Sequence, residues 1–288
     1  MAASSPFAPT PTGARPRVPR NDAMSAAACG PLIAIASGPL SVDIAASAGG
    51  RIAQIRQGGA EWLLGYGEQN AAPIAWGSYP MLPWAGRIRH GRFGFQGNPY
   101  QLPLDHGEHA IHGVGYKLPW QVVGHSPRHA ELSLQLPCDA RWPFGGSAWQ
   151  RFEVDGNRLR MELSVTAGAQ AMPAVIGWHP WFRKPERIEF APTQAYPRDR
   201  DGIAILPLAP PPPRPWDDCF INREPVILHR GGQSVRLTSD CAHWVVYDER
   251  DDATCVEPQS GPPDGFNLGP TRLAPGATCA AWFLMEWL

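Results

Sequence analysis

Arg151-Phe152-Glu153-Val154-Asp155-Gly156-Asn157-Arg158-Leu159 runs on into Arg160-Met161-Glu162-Leu163-Ser164-Val165. Apolar and polar residues alternate on both sides of the central Asp-Gly-Asn, the period of a strand with one face buried. A turn-forming triplet between two such runs reads as a hairpin. Working outward, the same period recurs in Ala130-Glu131-Leu132-Ser133-Leu134-Gln135-Leu136 and in Leu40-Ser41-Val42-Asp43-Ile44. Helical periodicity is almost absent, and 33 prolines argue against helix interiors. The expectation is an all-β fold: a large antiparallel β-sandwich with no internal repeat. The run Pro207–Pro215, with four consecutive prolines at 210–213, is expected to be an extended surface loop.

Composition bounds the rest. The chain has 288 residues, 43% of them apolar, enough for a sizeable core in a single domain. The formal net charge is −1, without a run of Lys or Arg, which argues against nucleic acid or an anionic membrane as partner. No apolar stretch approaches the roughly 20 residues of a membrane helix. Ala26–Leu40 is broken by Gly30, Pro31, Gly38 and Pro39. Residues 1–30 are rich in Ala, Ser, Pro and Arg and are expected to form a disordered tail, with Met24 an alternative start. The domain is expected over 31–288. A continuous apolar leader segment is lacking, so a cytoplasmic location is expected. Six cysteines lie scattered without a C-x-x-C pair and are read as reduced, mostly buried thiols.

Four segments place polar groups among aromatics and turn residues. In Tyr79-Pro80-Met81-Leu82-Pro83-Trp84-Ala85-Gly86-Arg87-Ile88 the arginine is a fixed donor fork suited to paired oxygens. A surface arginine at a strand end fits the same pattern equally well. His106-Gly107-Glu108-His109-Ala110-Ile111-His112-Gly113 invites a metal reading, but the flanking glycines disfavour a helix. Extended chain sends His109 and His112 to opposite faces. A hydrogen-bonding histidine before a glycine turn is preferred. His179 lies between Trp178 and Trp181; aromatic faces suit the C–H face of a pyranose, and imidazole moves protons near neutral pH. A satisfied core histidine is the plainer alternative. Glu257 ends a short apolar strand before a Pro/Gly loop, placed either as a base in a pocket or as a solvated strand end.

Taken in order, these blocks resemble the aldose 1-epimerase (galactose mutarotase) family. The resemblance covers Pro-Trp-Ala-Gly-Arg-Ile, the Gly91–Leu102 hairpin, Ile111-His112-Gly113, Gly177–Phe182, Trp216–Phe220, Val256-Glu257-Pro258 and Gly261–Asp264. It implies a galactose mutarotase-like supersandwich, with His179 as general acid and Glu257 as general base. It also implies Arg87, His112 and Asp217 as sugar-binding residues; alignment on Phe220 favours Asp217 over Asp218. One departure stands out: Gly86 precedes the arginine where better-known members often carry asparagine.

The implied reaction interconverts the α and β anomers of a free aldose. Anomerisation removes the C1 hydroxyl proton and adds one to the ring oxygen, so neither cofactor nor metal is expected. If acid and base sit close, opposite charges favour an ionised pair. The expected partner is a small-molecule sugar, and the chain a monomer or homodimer. A hexose-6-phosphate 1-epimerase and a non-catalytic carbohydrate-binding protein of the same fold are the alternatives. A glycoside hydrolase would want two carboxylates flanking the bond, which a His/Glu pair does not supply.

Overall fold

The structure is a computed structural model that describes residues 29–68 and 72–288, so the tail expected over most of 1–30 lies outside the described residues. The hairpin read from the sequence is present. Strands Ser147–Asp155 and Arg158–Thr166 pair antiparallel, with Asp155 opposite Arg158. Gly156 at the turn takes a φ of +59°, the conformation short hairpin loops demand. Phe152 and Val154 on one strand, and Leu159, Met161, Leu163 and Val165 on the other, are buried, while their neighbours face outward.

This hairpin sits in an eight-stranded antiparallel sheet running Gln121–His125, His129–Gln135, Ser147–Asp155, Arg158–Thr166, Thr278–Trp287, Gln233–Ser239, Val226–Arg230 and Arg187–Glu189. A ten-stranded sheet lies against it. Its order is Ile33–Ser37, Leu40–Ala45, Arg51–Gln57, Ser78–Met81, Gly177–Arg183, Ala253–Gln259, His243–Tyr247, Asp217–Ile221 and Gln194–Tyr196, with Ala60–Glu61 appended to Arg51–Gln57. One hydrophobic cluster draws side chains from both sheets, among them Ile35, Val42, Phe152, Met161 and Met285. Aromatic pairs join the layers: Trp178 and Phe283 have ring centroids 5.8 Å apart, Trp62 and Trp287 5.7 Å. Phe283 is fully buried, and withdrawing such a side chain from water contributes roughly 1.5–3 kcal/mol.

Cys29 is buried beside Ala45, Ala53 and Trp76, and its carbonyl accepts a hydrogen bond from Ser47 Oγ. The proline run before Trp216 is an exposed to half-exposed connection without a strand. Of the cysteines, all unpaired, Cys29, Cys219, Cys241 and Cys255 are buried and Cys138 is exposed.

Candidate functional site

The centre of the ten-stranded sheet brings His179 and Glu257 together. They stand 78 positions apart in the chain. Strand Gly177–Arg183 pairs with Ala253–Gln259 in the register Gly177↔Gln259 and Trp181↔Cys255, which sets His179 opposite Glu257. His179 Nε2 and Glu257 Oε1 are 3.3 Å apart, and both side chains are buried. On the other flank, His179 pairs with Tyr79, whose ring stacks on the imidazole at 4.7 Å. Strand alternation then assigns the faces. Trp178 and Phe182 enter the core between the sheets, whereas His179 and Trp181 stack on each other on the outer face. Of the two tryptophans flanking the histidine, therefore, only Trp181 lines the cavity; Trp178 belongs to the core. His179 is not a satisfied core histidine: its Nδ1 is buried without a hydrogen-bond partner.

Two connections cover this face. Arg87 begins a two-residue strand paired with Ala110–Ile111, which leads directly to His112. His112 takes a φ of +55°, and its Nδ1 accepts a hydrogen bond from the Gly86 N–H at 3.2 Å. An Nδ1 that accepts leaves the ring proton on Nε2, where it can be donated to a hydroxyl. Asp217 enters from strand Asp217–Ile221, two strands from Glu257; its Oδ2 lies 4.0 Å from Arg87 Nη1 and accepts a hydrogen bond from Arg198. Arg87, His112, His179, Asp217 and Glu257 all line one cavity of about 430 Å³, within the size range of small-molecule sites, ~300–1,000 Å³. Asp218 also reaches this cavity but is more buried than Asp217 and bonds to the Asp217 N–H.

The electrostatics correct one expectation. Burial, not pair attraction, governs His179 and Glu257. It pulls the imidazole down to about 3, with the Arg51 guanidinium adding to the effect. It pushes the Glu257 carboxyl well above the usual carboxylate range, assisted by Asp217 and opposed by the Gln259 amide. Both shifts favour the neutral forms, so a single proton held by the pair sits on Glu257 rather than on His179. Desolvating two full charges costs more than their attraction returns here. Burial, with His179 nearby, holds His112 neutral as well.

Several residues escaped the sequence reading. Tyr79 stood in a quoted segment, but only the register shows that it forms one wall of the His179 ring. Arg51 is buried, donates to the carbonyls of Ala48, Pro73, Trp76 and Tyr116, and sits over the Trp76 and Tyr79 rings. Arg198, Tyr247 and Arg250 line the cavity from strands and loops that carry no motif. The three histidines of 106–112 form no metal-capable group among the described residues. His109 Nδ1 instead accepts from the His90 N–H.

The glycine at 86 has a structural cause. Its φ is +68°, and a Cβ there would lie 2.6 Å from Pro263 Cβ and 2.8 Å from Pro263 Cα. Asparagine tolerates that backbone, but the proline does not leave room for any side chain. Gly86→Asn is expected to cost roughly 1–3 kcal/mol, as overpacking does, and to lower the melting temperature by several degrees in a thermal scan. An unchanged melting temperature would show that the Pro263 loop yields freely.

Comparison with known proteins agrees with this architecture. The profile of the aldose 1-epimerase family matches residues 31–286. A 124-residue stretch is 34% identical to the uncharacterised Escherichia coli K12 protein YphB, a match spanning 42% of this chain but only 41% of that protein. The fold superposes on a provisionally assigned aldose 1-epimerase of Escherichia coli K12 with a TM-score of 0.78 at 22% identity, covering 90% of this chain and 99% of that one. It also superposes on a galactose 1-epimerase from Lactobacillus acidophilus NCFM with a TM-score of 0.75 at 18% identity, covering 89% and 94%. An all-β supersandwich with its cavity on the ten-stranded sheet is the class defined by fold and site. The chain belongs to the aldose 1-epimerase family. None of the helices among the described residues is long and apolar enough to cross a membrane.

Proposed function

We propose that the protein is a mutarotase for a free aldose, with Glu257 as base, His179 as acid, and Arg87, His112 and Asp217 holding the sugar hydroxyls. The observation that carries the reading is the buried His179–Glu257 contact of 3.3 Å in the cavity wall. Sugar hydroxyls donating to the Glu257 carboxylate favour its ionised form, and the proton moves to His179. Glu257 then takes the C1 hydroxyl proton while His179 gives its proton to the ring oxygen. The C1–O5 bond breaks, leaving an open-chain aldehyde and the pair in its neutral resting form. Rotation about C1–C2 presents the other carbonyl face; the two transfers reverse and the ring closes as the other anomer. Protons balance in each half, and each positioned group contributes typically ~10²–10⁴-fold. The test is anomer exchange followed by NMR across a panel of aldoses. Exchange no faster than in buffer, for every sugar in the panel, would leave the fold as a binding scaffold.

The pKa shifts set the pH dependence. The reactive pair holds one proton. A second is taken up only as pH falls toward about 3, because the His179 value is lowered to that level. The one proton is released only well above 4.5, because the Glu257 value is raised. The profile of kcat/KM is therefore expected to be flat through 4.5, the ordinary value for glutamate, with its acid limb near 3 and its basic limb well above 4.5. A limb at 4.5 would mean that the pair titrates as exposed groups do.

A further inference from the structure

One residue beside the reactive pair has no part in the anomerisation chemistry. Cys255 lies two residues before Glu257 on the same strand, so its side chain leaves the same face of the sheet. The register puts it beside Trp181 and Tyr247, immediately along the strand from the His179–Glu257 pair. One ligand atom from each of His179, Cys255 and Glu257 lies within 4.8 Å of the others, and all three residues are buried. This is the metal-capable group found among the described residues. The nitrogen of His179 turned to this group is Nε2, 3.3 Å from Glu257 Oε1.

We propose that His179, Cys255 and Glu257 form a three-ligand site for a thiophilic divalent cation, Zn2+ above all, and that its occupation switches the acid–base pair off. One nitrogen, one sulfur and one carboxylate oxygen are a donor set that zinc accepts, with a fourth position left to water or a sugar hydroxyl from the cavity. Bond lengths of about 2.0–2.3 Å put ligand atoms of a tetrahedral zinc site roughly 3.3–3.6 Å apart. Closure from 4.8 Å to that spacing asks for a shift of about 1.2–1.5 Å at most. A thiolate selects Zn2+ against the hard cations Mg2+ and Ca2+.

The charges balance. Zn2+ enters, the Cys255 Sγ–H loses its proton, and the proton shared by His179 and Glu257 leaves. Two protons go out for two positive charges in, so the buried site is neutral before and after. The bound ion occupies the lone pairs that would move protons, and it competes with sugar for the same face. Binding stands on geometry alone; the inhibition rests on the mutarotase reading.

The test uses the whole chain and two separate readouts. Co2+, as a spectroscopic stand-in for Zn2+, is expected to give a thiolate charge-transfer band in the near ultraviolet that Zn2+ abolishes and Mg2+ does not. Cys255→Ser is expected to lose the band, and Cys138→Ser, at the exposed cysteine, to keep it. In the exchange assay, Zn2+ is expected to inhibit competitively with sugar, and EDTA to restore the rate. Cys255→Ser keeps the uninhibited rate within about twofold and becomes tenfold or more less sensitive. Should Cys255→Ser not fold, the band is read in His179→Asn and Glu257→Gln, each expected to weaken Co2+ binding at least tenfold. A band that survives in all three variants, or no band in the unaltered chain, overturns the site. A normal band with no effect on exchange overturns the inhibition and leaves the site. An active enzyme that loses its rate to EDTA and regains it with a divalent ion would make the metal an activator and overturn the proposal.

Discussion

Glu257→Gln and His179→Asn are each expected to lower kcat for anomer exchange by about a hundredfold or more, since each removes one proton-transfer partner and almost no volume. The loss is expected in kcat more than in KM, because Arg87, His112 and Asp217 would still hold the ring. Glu257→Gln carries a second expectation that separates chemistry from folding. The Glu257 carboxyl is raised well above 4.5 by burial. A raised acid contributes its full stability below the unfolded value and loses it as pH climbs toward the folded value. At neutral pH the native glutamate therefore destabilises the fold, and glutamine, which never ionises, does not. Its Oε1 also keeps an acceptor for the Gln259 amide, which now donates to Glu257 Oε2 at 3.2 Å. Glu257→Gln is expected to melt higher than the parent at pH 7 and no higher at pH 4. An inactive variant that is also less stable at pH 7 would point to a broken fold rather than a missing base.

How far the site could be read from the chain depends on what each feature requires. The hairpin at Ser147–Thr166 was legible because its signal is local: alternation on both sides of Asp-Gly-Asn. The identities of His179 and Glu257 were legible through resemblance, and each strand's alternation fixes which neighbours share its face. Their meeting was not legible, because it depends on the register of two strands 78 positions apart. Their protonation was misjudged for a related reason. Proximity alone predicts an ionised pair, but burial is a property of the assembled sheets, and it reverses the order. Trp178 shows the same limit on a smaller scale. One position from His179, it belongs to the core and not to the cavity. Gly86 became intelligible only with Pro263, which a distant loop lays against it.

A free aldose is expected to be preferred over its 6-phosphate by about tenfold or more in kcat/KM, roughly 1.4 kcal/mol of transition-state binding. The argument is one of charge. A phosphate monoester brings close to two negative charges and asks for arginines that are not already matched. Among the described residues the cavity is lined by Arg87, Arg198 and Arg250 against Asp217, Asp218, Glu249 and Glu257. Arg198 bonds to Asp217 and pairs with Asp218, and Arg250 pairs with Asp252. Two arginines close in sequence to Arg87 and His179 are likewise engaged. Arg89 is bonded to Asp199 and Asp201, and Arg183, the last residue of His179's strand, to Glu61 and Glu68. A dianion placed here would have to break an existing ion pair and face the Asp217 carboxylate. A neutral hydroxyl has no such penalty, and paired donors and acceptors hold it well. The chain's net charge of −1 supplies no long-range attraction for an anion either. The measurement compares glucose and galactose with their 6-phosphates at matched ionic strength. A tenfold preference for the phosphates would overturn the reading, and loss of that preference in Arg198→Met would identify the arginine that leaves Asp217 to bind them.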